Sequence, residues 1–454
     1  MIKDQNRLKY LDAACLRLAG SFVEVPLEKI FKDGLSNIKT RDGIKPNLHQ
    51  AFQLRQGDKI WWCENGKRIG LEKSDHEEFL RIVRLIYEDH SVKPYISFEF
   101  ILTRMFQCMI DVRHQDNRST IVSTNLCEEM ASSITSYNVY LRLIHLKPSK
   151  KITIGEVEIG RFKPGFFDKQ ILAFKRRHGD IENIYEIYKD IFSNQAYAKV
   201  YVRAESQRAK EIASEKCSLT LDLLKVCSQT VVHPKSKVNF DLDRNVRIHA
   251  NQSVLLENLE YEHEITAQIE RAYGQDHELA FDIEEYNKRG LQALVQLLSK
   301  FPTEKDRSEL QRITMRAIQK LASALSEPNF HRRVTDLFTV LESLLLKDQN
   351  SPIIESVGKY LSKLVFKTLE ERKECITLLK KMYAVRSAYL HHAHEAPIEL
   401  VDLASLQVCV YSLVFKMITK SLDYKTKEEL FEEIDEAIIA AYTPKIFREQ
   451  KRAK

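Results

Sequence analysis

The sequence predicts an α+β region followed by an all-α helical bundle, and three observations carry that prediction. Up to about residue 275, apolar stretches that alternate like strands are interleaved with stretches of helical spacing. From about residue 281 the alternation stops, and helix-period segments follow one another to the end. Glycine and proline are sparse throughout, 13 and 11 in 454 residues, so there are few turn signals.

In the first region, 79–89 and 98–112 have helical apolar spacing, and Ser97 is placed to cap the second helix. Residues 138–146 and 152–160, separated by 147–151, alternate like two strands that pair with each other. Residues 196–202 form another strand, 207–226 a long helix, and Val238, Phe240, Leu242, Val246 and Ile248 alternate again. The Trp61-Trp62 pair fits a core role better than ligand stacking. Residues 1–275 therefore read as one or two α+β units, with a sensory or regulatory role expected. Helices are expected near 283–300, 304–326, 331–346, 352–368, 370–394, 398–421 and 427–441. Thr303 is placed to cap the second of these, and Pro397 sits where the sixth can begin. The short connections imply antiparallel neighbours, hence a bundle over 281–445, with a basic tail at 446–454.

Composition excludes little. Seventy basic and 64 acidic residues give a net charge of +6, which permits an anionic partner such as RNA without requiring one. The eight cysteines are scattered with no CxxC pair, which argues against a zinc ribbon and for a reduced, cytoplasmic compartment. No signal peptide is expected, because Lys9, Asp12 and Arg17 break the first apolar stretch, 8–18. The uncharged stretch 403–415 is too short to span a bilayer, so no membrane is expected. Residues 1–275 contain no phosphate loop, no Gly-rich elbow and no HExxH.

The chemistry concentrates in Met382–Pro397, MYAVRSAYLHHAHEAP. On a helix, Leu378, Met382, Val385 and Tyr389 form one apolar stripe. Ile376, Leu379, Tyr383 and Leu390 form a second, with Arg386 inside it. Ala384, Ser387, Ala388 and His391 form a face of small residues that ends in a histidine. A guanidinium within an apolar stripe costs free energy unless it is paired. Glu342 lies on an apolar face of an earlier helix with Phe338 and Leu345, so Arg386 or His391 is its natural partner in a bundle, with orienting Arg386 as its role; the alternative is an edge glutamate in water. A last-turn histidine is favoured in its protonated form by the helix dipole and opposed by a nearby arginine, a balance suited to acid–base work. His391, His392 and His394 lack further ligands nearby, so neither a metal nor a cofactor is expected.

Arg386-Ser387-Ala388-Tyr389-Leu390-His391, near the end of a bundle helix, resembles the motif of the HEPN superfamily. With the segment 336–350, it looks most like the ApeA-like branch, found in bacterial antiphage proteins. Two other Arg-to-His spacings, Arg244–His249 and Arg271–His277, lack the helical setting. The resemblance covers roughly 300–425. It implies a metal-independent endoribonuclease in which the RNA 2′-OH attacks the adjacent phosphorus. His391 would be the proton-transfer group and Arg386 the phosphate binder; Glu342, Ser387 and Tyr389 would support them, Ser387 by positioning and Tyr389 by packing. It also implies a homodimer through the bundle, and by analogy a phage-derived trigger acting on the N-terminal region, in abortive-infection defence. The alternatives are a non-catalytic HEPN dimerisation or nucleotide-binding module acting beside another enzyme, and a nucleotidyl-group-transferring HEPN toxin partner in which these residues bind ATP or another nucleotide.

Overall fold

The computed structural model describes residues 4–26, 52–56, 59–64, 67–114, 122–163, 165–166, 168, 192–236, 238, 240–242, 253–258, 264–269, 279–281, 283–302, 304–347, 352–392 and 394–442. The basic tail, Thr303, both other Arg-to-His spacings and the Trp61 and Trp62 side chains lie outside what is described. In chain order the first elements are α1 (Gln5–Gly20), β1 (Val23–Pro26), β2 (Phe52–Gln56), β3 (Lys59–Glu64), β4 (Lys67–Gly70), α2 (Lys73–Tyr87), α3 (Phe98–His114) and α4 (Val122–Ser133). They are followed by β5 (Thr135–Ile144), β6 (Leu146–Pro148), β7 (Ile152–Ile154), β8 (Val157–Arg161), β9 (Ala196–Ala204), α5 (Ser206–Val226), β10 (Asp241–Leu242), β11 (Ser253–Asn258), β12 (Glu264–Ile269) and β13 (Leu279–Phe281). From there the described elements are helical: α6 (Ile283–Lys288), α7 (Leu291–Leu298), α8 (Glu309–Ser326), α9 (Phe330–Leu345), α10 (Ile353–Val365), α11 (Leu369–His392), α12 (Leu400–Lys420) and α13 (Lys427–Tyr442). An N-terminal α/β region thus precedes a C-terminal helical one.

The chain forms two compact units, one of residues 1–139, 201–213 and 256–266, the other of 140–200, 214–255 and 267–454. In the first, α1 to α4 pack around Leu18, Phe79, Ile82, Met105 and Phe106, and β1–β4–β3–β2 form an antiparallel sheet. Ser97 caps α3 as expected, its Oγ accepting from the Phe100 amide at 3.1 Å. The Ser97 hydroxyl in turn donates to buried Glu205, 2.8 Å away, whose carboxylate also takes the amides of Gln207 and Arg208 at the start of α5. One carboxylate therefore ties two helix starts together.

The strand reading needs one correction. Residues 138–146 and 152–160 do not pair with each other. The stretch 152–160 is itself a hairpin: β7 and β8 are joined around Gly155, whose φ of +59° a side chain would strain. The strand order β12-β11-β5-β9-β8-β7 places β9 between β5 and β8. Alternation marks a strand's faces but says nothing of its neighbour.

The helical region comprises the expected helices, with shifted ends. The helix expected over 283–300 is two, broken at Gly290, where φ is +88°. Tyr411 donates to the Arg289 carbonyl at 2.5 Å, and its oxygen would lie 3.1 Å from a Cβ on residue 290. Gly290→Ala is therefore expected to lower stability by about 1–2 kcal/mol, read as a shift in the urea midpoint; an unshifted midpoint would show that the break is soft. Helix α8 starts at Glu309 rather than 304, because Ser308 and Gln311 make a reciprocal capping box. Helix α12 starts three residues beyond Pro397, after an extended link.

Helix α12 is the hub, packing against α7, α8, α9, α10 and α11. It is also the one described helix long and apolar enough to cross a membrane, although half of its most apolar stretch is buried in the bundle. Its Gln407, fully buried, donates to the carbonyls of Thr230 and Val231. Beside it lies Arg333, 2% exposed. This guanidinium donates to the Pro234 carbonyl at 2.7 Å and twice to the Glu327 carbonyl, at 2.6 and 2.9 Å.

Candidate active site

Helix α11 buries Cys375, Leu379, Met382 and Val385. That stripe draws on both of the expected ones: Leu378 is half-buried and Leu390 is 48% exposed. The helix is long enough to touch α9, α10 and α12, so its buried line follows those neighbours rather than one straight face.

Arg386 faces α9. Its Nη1 lies 2.9 Å from Glu342 Oε1 and its Nη2 donates to Oε2 at 3.3 Å, with the side chains 16% and 20% exposed. The guanidinium carbon sits 5.9 Å from the Phe338 ring centre and 5.6 Å from that of Tyr383. Aromatic faces of this kind attract a cation. The fit is incomplete. Buried Nε of Arg386 has no acceptor among the described residues, and the Nη1–Oε1 contact is an ion pair without hydrogen-bond alignment. An unmet donor in such a place calls for an explanation, such as a ligand or a rearrangement.

Burial pushes the Glu342 carboxyl above the usual carboxylate range, and Arg386 only partly opposes this. The folded protein therefore holds this proton more tightly than the unfolded chain does. The group's stabilising contribution is present at low pH and is lost as pH rises from the ordinary carboxylate range through its raised folded value. Glu342→Gln should remove that slope and melt at or above wild type at pH 7, with wild type gaining on it as pH falls toward about 4. A variant melting well below wild type at pH 7 would instead show that the charged pair is net stabilising.

His391 lies at the exposed end of α11, its ring 6.5 Å from that of His392. Five residues along a helix turn about 140° beyond one full circle, so Arg386 and His391 point to different sides of the same helix. On the small face Ala384 is exposed, and Ser387 and Ala388 are half-buried. The structure thus brings Glu342 to Arg386, leaves the small face open and keeps His391 apart from the pair.

Tyr389 does more than pack. Its ring stacks on His331 of α9 at 5.4 Å and 24°, and its hydroxyl accepts from Arg332 Nε at 3.4 Å. His331 Nε2 lies 2.8 Å from the Ala396 carbonyl, which can only accept, so that nitrogen is the donor. His331 escaped the sequence reading because its signal is tertiary: Tyr389 and Ala396 lie on other segments.

Among the described residues, no group of three or more His, Cys, Asp or Glu is placed to hold a metal ion. Compared with protein-family models, curated proteins and solved structures, the chain matches none.

Proposed function

We propose that the protein is a metal-independent endoribonuclease of HEPN type. The observation that supports this most directly is Arg386, held under an aromatic pair by Glu342 with its Nε unmet, beside an open small-residue face that ends in exposed His391. The RNA 2′-OH attacks the adjacent phosphorus, and His391 transfers the proton. Arg386 binds the phosphate and stabilises charge growing on its oxygens. The 2′-OH becomes part of a 2′,3′-cyclic phosphate, and the leaving oxygen departs as a 5′-hydroxyl. DNA, which lacks the 2′-OH, is not cut. Ser387 positions the phosphate or the histidine.

Because Arg386 and His391 diverge on one helix, the working site takes them from two copies of the chain, packed through the small face around Ser387 and Ala388. This reading includes a cytoplasmic homodimer acting in antiphage abortive infection, with the N-terminal region as receiver of the trigger. The last two points rest on resemblance alone.

The deciding experiment incubates purified protein with total RNA in EDTA, beside Arg386→Ala and His391→Ala. Fragments with cyclic-phosphate ends from wild type alone support the proposal. Equal cutting by all three assigns both residues to structure. A second reading, a non-catalytic dimerisation module, is favoured by one observation: Glu342 already engages the Arg386 guanidinium within a single chain. Intact RNA from all three preparations, including in lysate of infected cells, would support that reading.

A further inference from the structure

A cleft of about 900 Å³ in the second unit is lined by residues of β5, β6, β8 and β9 and of the segments that follow β6 and β8, and uses none of the residues of the candidate site. One wall is aromatic. Tyr197 stands 4.7 Å from Phe162 and 5.2 Å from Tyr140, and Phe166 extends the cluster at 5.1 Å from Phe162. This wall depends on a glycine. Tyr197 and Gly160 face each other across β8 and β9, and a Cβ at 160 would come within 2.7 Å of the tyrosine oxygen.

The rest of the lining is charged, five cations against one carboxylate: Lys150, Lys151, Arg161, Lys163 and Lys199 against Glu158. Glu158 Oε2 holds Lys151 at 2.7 Å and Lys199 at 3.5 Å, and Oε1 accepts from the Tyr197 hydroxyl at 3.0 Å. These partners keep it ionised: despite burial, its carboxyl stays below the usual range. A carboxylate offers about four acceptor positions, so one remains for a ligand donor.

Three cations are less committed. Arg161 donates Nε and Nη2 to the Asn194 carbonyl, both at 3.2 Å, from a residue whose φ is +59°. Nothing described takes its Nη1. Lys150 has only an exposed ion pair with Glu284 at 3.6 Å. Lys163 is exposed and has no partner among the described residues.

An aromatic wall of mutually tilted rings, one fixed acceptor and three cations with donors to spare complement a planar base, its N–H or hydroxyl donors, and a phosphate chain. We propose that this cleft binds a nucleoside phosphate, with the base against the Tyr140–Phe162–Phe166–Tyr197 wall and the phosphates on Arg161, Lys163 and Lys150. A core gap ringed by solvated lysines is the bland account of the same residues. It predicts no preference for a base joined to phosphate.

The test is calorimetric titration of the full chain with ATP, GTP, CTP and UTP, beside adenosine, guanosine and inorganic triphosphate. At least one nucleotide should bind with Kd below about 100 µM, its nucleoside and triphosphate each at least about tenfold weaker. Arg161→Gln and Lys163→Glu, whose side chains are exposed, should each weaken that nucleotide at least about tenfold. Lys9→Glu, an equal charge reversal in the other unit, should not. The proposal fails if no nucleotide binds, if triphosphate alone binds equally well, or if both cleft variants keep full affinity. It also fails if a short RNA binds through these cations while mononucleotides do not. None of these outcomes depends on ribonuclease activity.

Discussion

Arg386→Ala is expected to slow RNA cleavage by about 100- to 1000-fold, and His391→Ala by about 100- to 10,000-fold. Both should leave the melting temperature within a few degrees of wild type. For His391 the ring is exposed, so little packing is lost. For Arg386 the removal leaves Glu342 without its cation, but that side chain is 20% exposed, so water can reach the carboxyl in place of the guanidinium. The informative experiment mixes the two inactive variants. If one copy supplies the arginine and the other the histidine, a mixed dimer holds one working pair, and mixing should restore a measurable fraction of the wild-type rate. No recovery from a demonstrated mixed dimer would place both residues in one chain. Since they point about 140° apart on α11, that outcome would require the helix end to rearrange.

The second large effect concerns stability. Arg333→Ala should cost about 3–5 kcal/mol, read from the urea midpoint and confirmed by a fall in melting temperature. The substitution empties a fully enclosed volume and leaves the carbonyls of Pro234 and Glu327 without their donor. Arg333→Met restores much of the volume but no donor, so it should recover only part of the loss. A cost below about 1 kcal/mol would mean that water replaces the guanidinium.

Arg333 also disciplines the argument about Arg386. A guanidinium in the apolar interior of a helical bundle is not by itself a sign of chemistry, since Arg333 is more buried and is occupied by the carbonyls of Pro234 and Glu327, the Gln407 side chain and one ring face, that of Phe330. What sets Arg386 apart is its setting: a carboxylate partner, two ring faces, a buried Nε without an acceptor, and a helix edge that leads into open surface.

These contrasts show which features could be read from the sequence. The bundle helices were legible because each repeats apolar residues at three and four positions; what differed were their ends and one break, at Gly290. The start of α8 is written locally as the capping box of Ser308 and Gln311, and the break between α6 and α7 as Gly290. Charge on apolar faces pointed to a buried partner for Glu342 but did not choose between Arg386 and His391; the packing of α9 on α11 makes it Arg386. The stack of His331 on Tyr389 was not legible, because nothing near residue 331 records what residues 389 and 396 place beside it. For the same reason, the insertion of β9 between β5 and β8 left no trace in either strand. The aromatic and cationic cleft was invisible too: its lining comes from separate stretches between 140 and 199, each ordinary alone.

The polar knot around Arg333 and Gln407 has a practical corollary. A truncated chain beginning near 281, where the helices take over, would look like a self-sufficient enzyme fragment. It would lack the carbonyls of Thr230, Val231 and Pro234 that receive these two side chains. Such a fragment would carry orphaned donors at its centre and should be recovered as aggregate. A fragment meant to stay soluble has to retain the stretch from about 228 to 236 as well.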